Sequence, residues 1–243
     1  MAKKRIKSSG VLTLLLVIAI VAVSAALGFN IYKVATTDSG SGDTMDTGTV
    51  DNKYSNDQYS IGNNPTDINK EYFLELNDAL KDKTITGPND TEISGSEAIA
   101  QSVVKNFICQ YYTWTNKDGN YDIGGMQYIY TPKQSDFESY TLYNFYKDMD
   151  KYITQEGTSK LIEVSEVTIN SVQSVDQYTV DTTEETTDED GNTTTVTASL
   201  DCIDVDASWT YASGTSMDTS SIQNSATFHV VNNNGRWEIG GIE

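Results

Sequence analysis

The 243-residue chain carries 35 Asp and Glu against 16 Lys and Arg, a formal net charge of −19, with one His and two Cys. An acid excess of this size repels a polyanion, so direct contact with DNA or RNA is excluded. One His and two Cys undersupply a zinc centre of the usual His/Cys type and rule out a disulfide-dense scaffold, so neither a metal nor a cofactor is expected.

Five of the basic residues, Lys3, Lys4, Arg5, Lys7 and Lys33, stand at or before position 34, and every acid follows it. Residues 1–10, MAKKRIKSSG, read as a basic cytoplasmic tail, and residues 11–29, VLTLLLVIAIVAVSAALGF, hold no charge. At a rise of about 1.5 Å per residue this run nearly matches a hydrocarbon core of about 30 Å. Apolar character continues through Ile31, Tyr32, Val34 and Ala35. A transmembrane helix is therefore expected over 11–34, with the N-terminus cytoplasmic and the rest of the chain extracellular. The competing reading is a cleaved signal peptide cut beside Ser24, Ala25 and Ala26. No cysteine lies nearby to carry a lipid anchor. Residues 35–66, rich in Ser, Gly, Thr, Asp and Asn, bury too little apolar surface to offset the entropy of ordering, and read as a flexible polar linker.

From 67 to 243 the pattern is that of one exported domain. Residues 68–83 place Ile68, Tyr72, Leu76 and Leu80 at fourfold spacing with Phe73 beside them, behind Thr66 or Asp67 as a cap, and so predict an amphipathic helix. A second helix is expected from Ser94, where Ser94 and Glu97 have capping-box spacing. Its apolar rows, Ile99/Val103/Phe107/Tyr111 and Val104/Ile108/Tyr112, give a wide face that needs more than one neighbour. A third is expected to start at Thr131-Pro132 and run to about Gln155, with Phe137, Leu142, Phe145, Tyr146, Met149, Tyr152 and Ile153 inward, until Gly157 ends it.

Beyond Gly157 the period changes. Residues 161–175 are rich in β-branched side chains, 178–187 alternate briefly, and residues 188–192, DEDGN, read as a turn. In the following run the apolar set lies on even positions at Val196, Ala198, Leu200 and Cys202, then on odd ones at Ile203, Val205, Ala207, Trp209 and Tyr211. A β-bulge near Cys202 and Ile203 is the expectation, since one extra residue exchanges the faces of a strand. Ile222, Asn224, Ala226, Phe228 and Val230 alternate, residues 232–235, NNNG, turn, and RWEIGGI closes a hairpin with Trp237 and Ile239 inward. Helices followed by a bent antiparallel meander define an α+β domain of about three helices on a curved sheet.

This element order resembles the nuclear transport factor 2-like fold, a cone whose helices pack into a strongly curved sheet, and the terminal Trp237-Glu238-Ile239 strand fits it. The tail, anchor, tether and domain, with the block YYTWTNKDGNYDIGGMQYIY from Tyr111 to Tyr130, resemble the membrane-anchored scaffold subunit of Gram-positive conjugation and type IV secretion systems. The resemblance implies a non-enzymatic assembly protein of the cell membrane whose partners are protein subunits of a membrane complex, further copies of itself included. The chain departs from that family in having a single exported domain, where some relatives have two, and in its short cytoplasmic tail.

No catalytic set is expected. His229, opposite in face to Phe228 and Val230, is read as a side chain on the outer side of the sheet, which leaves no base for a nucleophile–histidine–acid triad. Setting Gly191 as the sixth residue of a calcium loop puts Thr186 first and Thr197 twelfth, where carboxylates are required. Gly124 and Gly125 lack the Lys-Ser/Thr of a phosphate loop and are read as a close approach of backbone to a packed aromatic. Tyr111, Tyr112, Trp114, Asp122, Tyr128 and Tyr130 are the candidate partner or pocket surface, with core filling as the reading that aromatic stripes usually satisfy. Enzymes of the fold place an acid inside the cone, and Asp122 or Asp136 would serve if desolvated. The alternatives to a scaffold are thus a small-molecule-binding or isomerase-like pocket domain, and a secreted accessory protein.

Overall fold

In the computed structural model, residues 54–188 and 193–243 are described. The tail, the expected membrane span, most of the linker and all of the 188–192 turn except Asp188 lie outside them. Among the described residues no helix is long and apolar enough to cross a membrane. Among the described residues four α-helices precede the main sheet: α1 (Asp67–Ala79), α2 (Gly95–Tyr111), α3 (Gln134–Tyr143) and α4 (Met149–Glu156). A two-stranded ribbon, β1 (Ile85–Thr86) with β2 (Glu92–Ile93), joins α1 to α2. Strands β3 (Val164–Thr187), β4 (Thr193–Tyr211), β5 (Ser225–Asn233) and β6 (Arg236–Ile242) then form a curved antiparallel sheet in the order β3-β4-β5-β6. The α+β class stands.

Helix α1 begins as its cap predicts. The Thr66 hydroxyl accepts from the Asn69 N–H, and the Asn69 side chain accepts from the Thr66 N–H, closing a capping box that satisfies two backbone donors. Ser94 caps α2 by position only: its side chain makes no cap hydrogen bond, and Glu97 accepts from Ser174 on β3 instead. Helix α2 is central, with Val103, Val104, Phe107 and Ile108 fully buried. Two of its buried side-chain amides donate to backbone carbonyls, Asn106 to those of Tyr72 and Ser102 and Gln101 to that of Thr86.

Three expectations are corrected. The linker does not extend to 66, because Tyr59 and Ile61 are buried in the main core. Tyr59 stacks on Tyr128 at 5.4 Å, takes the Arg236 guanidinium over its ring at 4.7 Å, and donates its hydroxyl to the Trp237 carbonyl. One aromatic with three partners is enough to hold an otherwise polar segment, which a composition average hides.

The single third helix is two, broken at Asn144, whose φ of −123° and ψ of −88° leave the helical region. Its side-chain amide bonds back to the Tyr140 carbonyl, competing with the ladder. The break lets Tyr146 drop into the core and donate its hydroxyl to the Tyr111 carbonyl at the end of α2. Side-chain demand from another helix decided this, and periodicity along 131–155 does not record it.

The bulge expected in β4 lies in its partner. Cys202 pairs with Val175 and Leu200 with Tyr178, so the extra residue belongs to β3. β4 keeps its alternation: Ile203 and Val205 face the helices, while Cys202 joins Tyr130, Val180 and Val231 in a second small core. The β3–β4 hairpin bends there and comes over the face that carries His229. Tyr178 stacks on His229 at 4.4 Å, and a methyl at Gly241 would overlap the Tyr178 hydroxyl. Both faces of this region are covered, so the apolar run is continuous where a one-sided sheet would alternate.

Candidate functional site

The six candidate residues do not form one surface. Tyr111, Tyr112 and Trp114 are buried in an aromatic network, with Tyr111 against Tyr112 at 4.9 Å, Trp114 against Tyr146 at 5.6 Å and Tyr112 against Trp209 at 4.6 Å. Tyr128 is fully buried under Tyr59 and accepts from Gln110, and Tyr130 sits in the second core. Asp122 is half-buried in the loop after α2, accepting from the Asp118 N–H. Tyr128 and Tyr130 are drawn away because the segment 126–130 crosses the end of β6, where the Tyr130 N–H donates to the Ile239 carbonyl.

Burial keeps these phenols protonated. The Tyr111 hydroxyl is pushed up to about 12, with Thr141 as its partner, and Tyr112, Tyr128 and Tyr146 are pushed up further still by the same loss of solvent. None of them offers a tyrosinate base near neutral pH.

Two members of the network, Tyr111 and Tyr112, do reach a surface. They form the inner wall of a groove of about 470 Å³ between α3 and the strand segment Ile239, Gly240, Gly241 and Ile242. Phe137 and Tyr140 of α3 form the opposite wall, with Ile129, Lys133, Asp136 and Gln223 completing it. Tyr140 is 62% exposed at the rim. The acid of the groove, Asp136, is on the solvent side, its side chain 66% exposed and 3.9 Å from Lys133, whose closer partner is Asp181 at 2.8 Å. A general base of this kind needs a desolvated carboxylate, and Asp136 is open to solvent.

The groove floor is a free sheet edge. β6 ends the strand order, and among the described residues only Ile129 pairs with it on the outer side, opposite Ile239. Thr227 and Glu243 exchange both backbone hydrogen bonds at 3.0 and 2.9 Å. The adjacent pair Phe228–Ile242 is therefore the non-bonded one, and the Ile242 N–H and C=O point to the open side.

The buried acid of the domain is elsewhere and serves structure. Glu238, fully buried, accepts from the Thr131 N–H and hydroxyl and from Asn233, and lies 3.2 Å from the Arg236 guanidinium. It pins the start of the segment leading into α3 to β6, and so sets the groove's width. Both of its oxygens are engaged within the fold.

Lys117 is the unusual cation. Its side chain is buried in the loop after α2, and loss of solvent lowers its pKa, with the Asp122 carboxylate opposing. The unfolded chain thus binds the proton more tightly than the folded one. Stability is expected to rise with pH between the lowered value and the ordinary lysine range, and to fall as pH drops through that window. Lys117→Met, which keeps the stem and removes the charge, is expected to raise the urea midpoint at neutral pH by the equivalent of about 1–2 kcal/mol and to flatten that slope. Equal midpoints for both proteins across pH 7 to 10 would show the ammonium to be solvated.

The reading of His229 as a side chain on the outer side of the sheet holds, and the bent hairpin adds a cover that the sequence did not show. His229 is on the outer face, yet its side chain is only 11% exposed, because Tyr178 covers it. Its Nδ1 lies 2.7 Å from Asp204 Oδ1, and Cys202 Sγ lies 3.6 Å from the same oxygen. Alternation along β4 could have placed Cys202 and Asp204 together, but the cross-strand register that brings His229 opposite Asp204 is not visible in sequence. Cys109 and Cys202 are both buried free thiols in separate cores and do not pair. The chain matches no protein-family model, no curated protein and no solved structure.

Proposed function

We propose that the chain is a non-enzymatic, membrane-anchored assembly protein of a conjugation-type (type IV) secretion apparatus, whose extracellular domain binds an extended segment of a partner subunit along β6. The groove carries the docking part of this reading: a free strand edge with Ile242 presenting an unpaired donor and acceptor, walled by Phe137 and Tyr140 and lacking a desolvated acid. Strand addition of this kind takes affinity from main-chain hydrogen bonds and specificity from alternate side-chain pockets. The nuclear transport factor 2-like cone, the span over 11–34 and the secretion assignment rest on the sequence resemblance and on the basic tail with its uncharged run. The same strand edge could take a further copy of the chain.

The test is a photo-crosslinking residue placed at Tyr140 of the full chain in the producing cell. The expected result is one adduct with an identified subunit of the transfer machinery, lost in Ile242→Pro, which removes the outward N–H while remaining tolerable on an edge strand. Conjugation that survives deletion of the gene, together with no adduct from any groove position, would remove the proposal. Turnover or tight binding of a small molecule that depends on Asp136 would replace it with the pocket reading.

A further inference from the structure

Among the described residues, one group of metal-capable side chains comes together: Cys202, Asp204 and His229. Three features of the fold produce it. Cys202 and Asp204 are two apart on β4 and so share a face, and His229 stands directly opposite Asp204 on β5. The bulge at Val175–Tyr178 then brings the hairpin over that face, so Tyr178 shields the imidazole while Val180 and Val231 enclose the thiol.

We propose that Cys202 Sγ, the Asp204 carboxylate and His229 Nδ1 form a binding site for a zinc-class divalent ion. The three ligand atoms all lie within 4.8 Å of one another. Bonds of about 2.0–2.3 Å at tetrahedral angles set ligand atoms roughly 3.3–3.7 Å apart, so the 2.7 Å contact of His229 with Asp204 must open and the wider separations close by about an ångström, within reach of side-chain rotation. Thiolate, imidazole and carboxylate together favour a borderline-soft ion over calcium or magnesium, which take oxygen ligands. The imidazole has a carboxylate within reach of its far nitrogen, although the two are not yet hydrogen-bonded. With Nδ1 toward the site, its Nε2 lies 3.3 Å from the Glu243 carboxylate, where metal-bound histidines usually meet an outer carboxylate. Binding displaces the thiol proton, takes the neutral His229 tautomer that carries its proton on Nε2, and leaves the fourth position of a tetrahedron to water.

The competing reading is a Cys–His–Asp nucleophile. A catalytic thiol is open to substrate, whereas Cys202 is 2% exposed and enclosed by Tyr130, Val180 and Val231.

The experiment uses the purified full chain, stripped with chelator and titrated with Co²⁺ as an absorbing probe. The expected result is one equivalent bound per chain with a sulfur-to-cobalt charge-transfer band in the near ultraviolet. The band is kept in Cys109→Ser, lost in Cys202→Ser, and weakened in affinity by about 10- to 100-fold in Glu243→Gln. In the unmutated chain Zn²⁺ is expected to raise the thermal midpoint by several degrees, saturating at one equivalent, which keeps the test independent of whether the Cys202 variant folds. Absence of the band and of the zinc-dependent shift in the unmutated chain, or an unchanged band in Cys202→Ser, overturns the proposal.

Discussion

Phe107→Ala is expected to lower the unfolding free energy by about 3–5 kcal/mol, the usual range for deleting a buried aromatic. Against a total of about 5–15 kcal/mol for a domain, this is enough to leave a substantial unfolded fraction. Phe107 is fully buried on α2 and is the residue where the layers meet. It stacks on Tyr111 at 5.2 Å, meets Phe137 of α3 at 5.9 Å, and meets Phe228 of β5 edge-on at 5.9 Å. The void left by alanine opens between helix, helix and sheet, so no single neighbour can close it by rotating. Phe107→Leu, which keeps most of the volume, should cost clearly less. Urea denaturation of both variants measures the difference, and equal midpoints for Ala and the unmutated chain would mean that the three layers do not converge at this ring.

Gly124→Ala is expected to destabilise by at least the upper end of the ~1–3 kcal/mol typical of overpacking. A methyl at this position would overlap the Gln110 carbonyl, which is helix backbone in α2, and lie 2.7 Å from Lys117 Nζ. Backbone against backbone leaves no rotamer to turn aside, so the loop must lift from the helix. Lifting it breaks the bond from the Gly124 N–H to the Tyr146 hydroxyl. The adjoining Gly125 has φ of 77° and would place a methyl 2.9 Å from the Phe107 ring, so the pair lets the chain pass over an aromatic at close range. Gly119→Ala is the control. Its methyl would meet chiefly the ring of Tyr121, which is 72% exposed and free to swing away. A thermal midpoint for Gly124→Ala equal to that of Gly119→Ala would show that the loop does not cross α2 at Gln110.

These two residues also show how far the sequence could be read. Phe107 was legible as a core position because the fourfold row Ile99/Val103/Phe107/Tyr111 is a property of one helix. Gly124 and Gly125 were legible as a close approach, since the sequence around them offers no phosphate loop. Their partner, the last turn of α2, could not be named, because loop-to-helix contact leaves no period in either segment. The candidate surface fared likewise: the aromatic density from Tyr111 to Tyr130 marks burial, but only the fold separates Tyr111 and Tyr112, which reach the groove, from Tyr128 and Tyr130, which do not.

By itself the sequence determined the succession from helices to an antiparallel meander, the α+β class, a cap at Thr66 or Asp67 and the Asn234-Gly235 turn, where both residues take positive φ. Each of these depends on residues a few positions apart. Tertiary structure alone decided the break at Asn144, the docking of Tyr59, the free edge at Ile242 and the meeting of Cys202, Asp204 and His229. Those depend on register between distant strands and on which face a bent hairpin covers, and side-chain contacts across such distances carry no local signature.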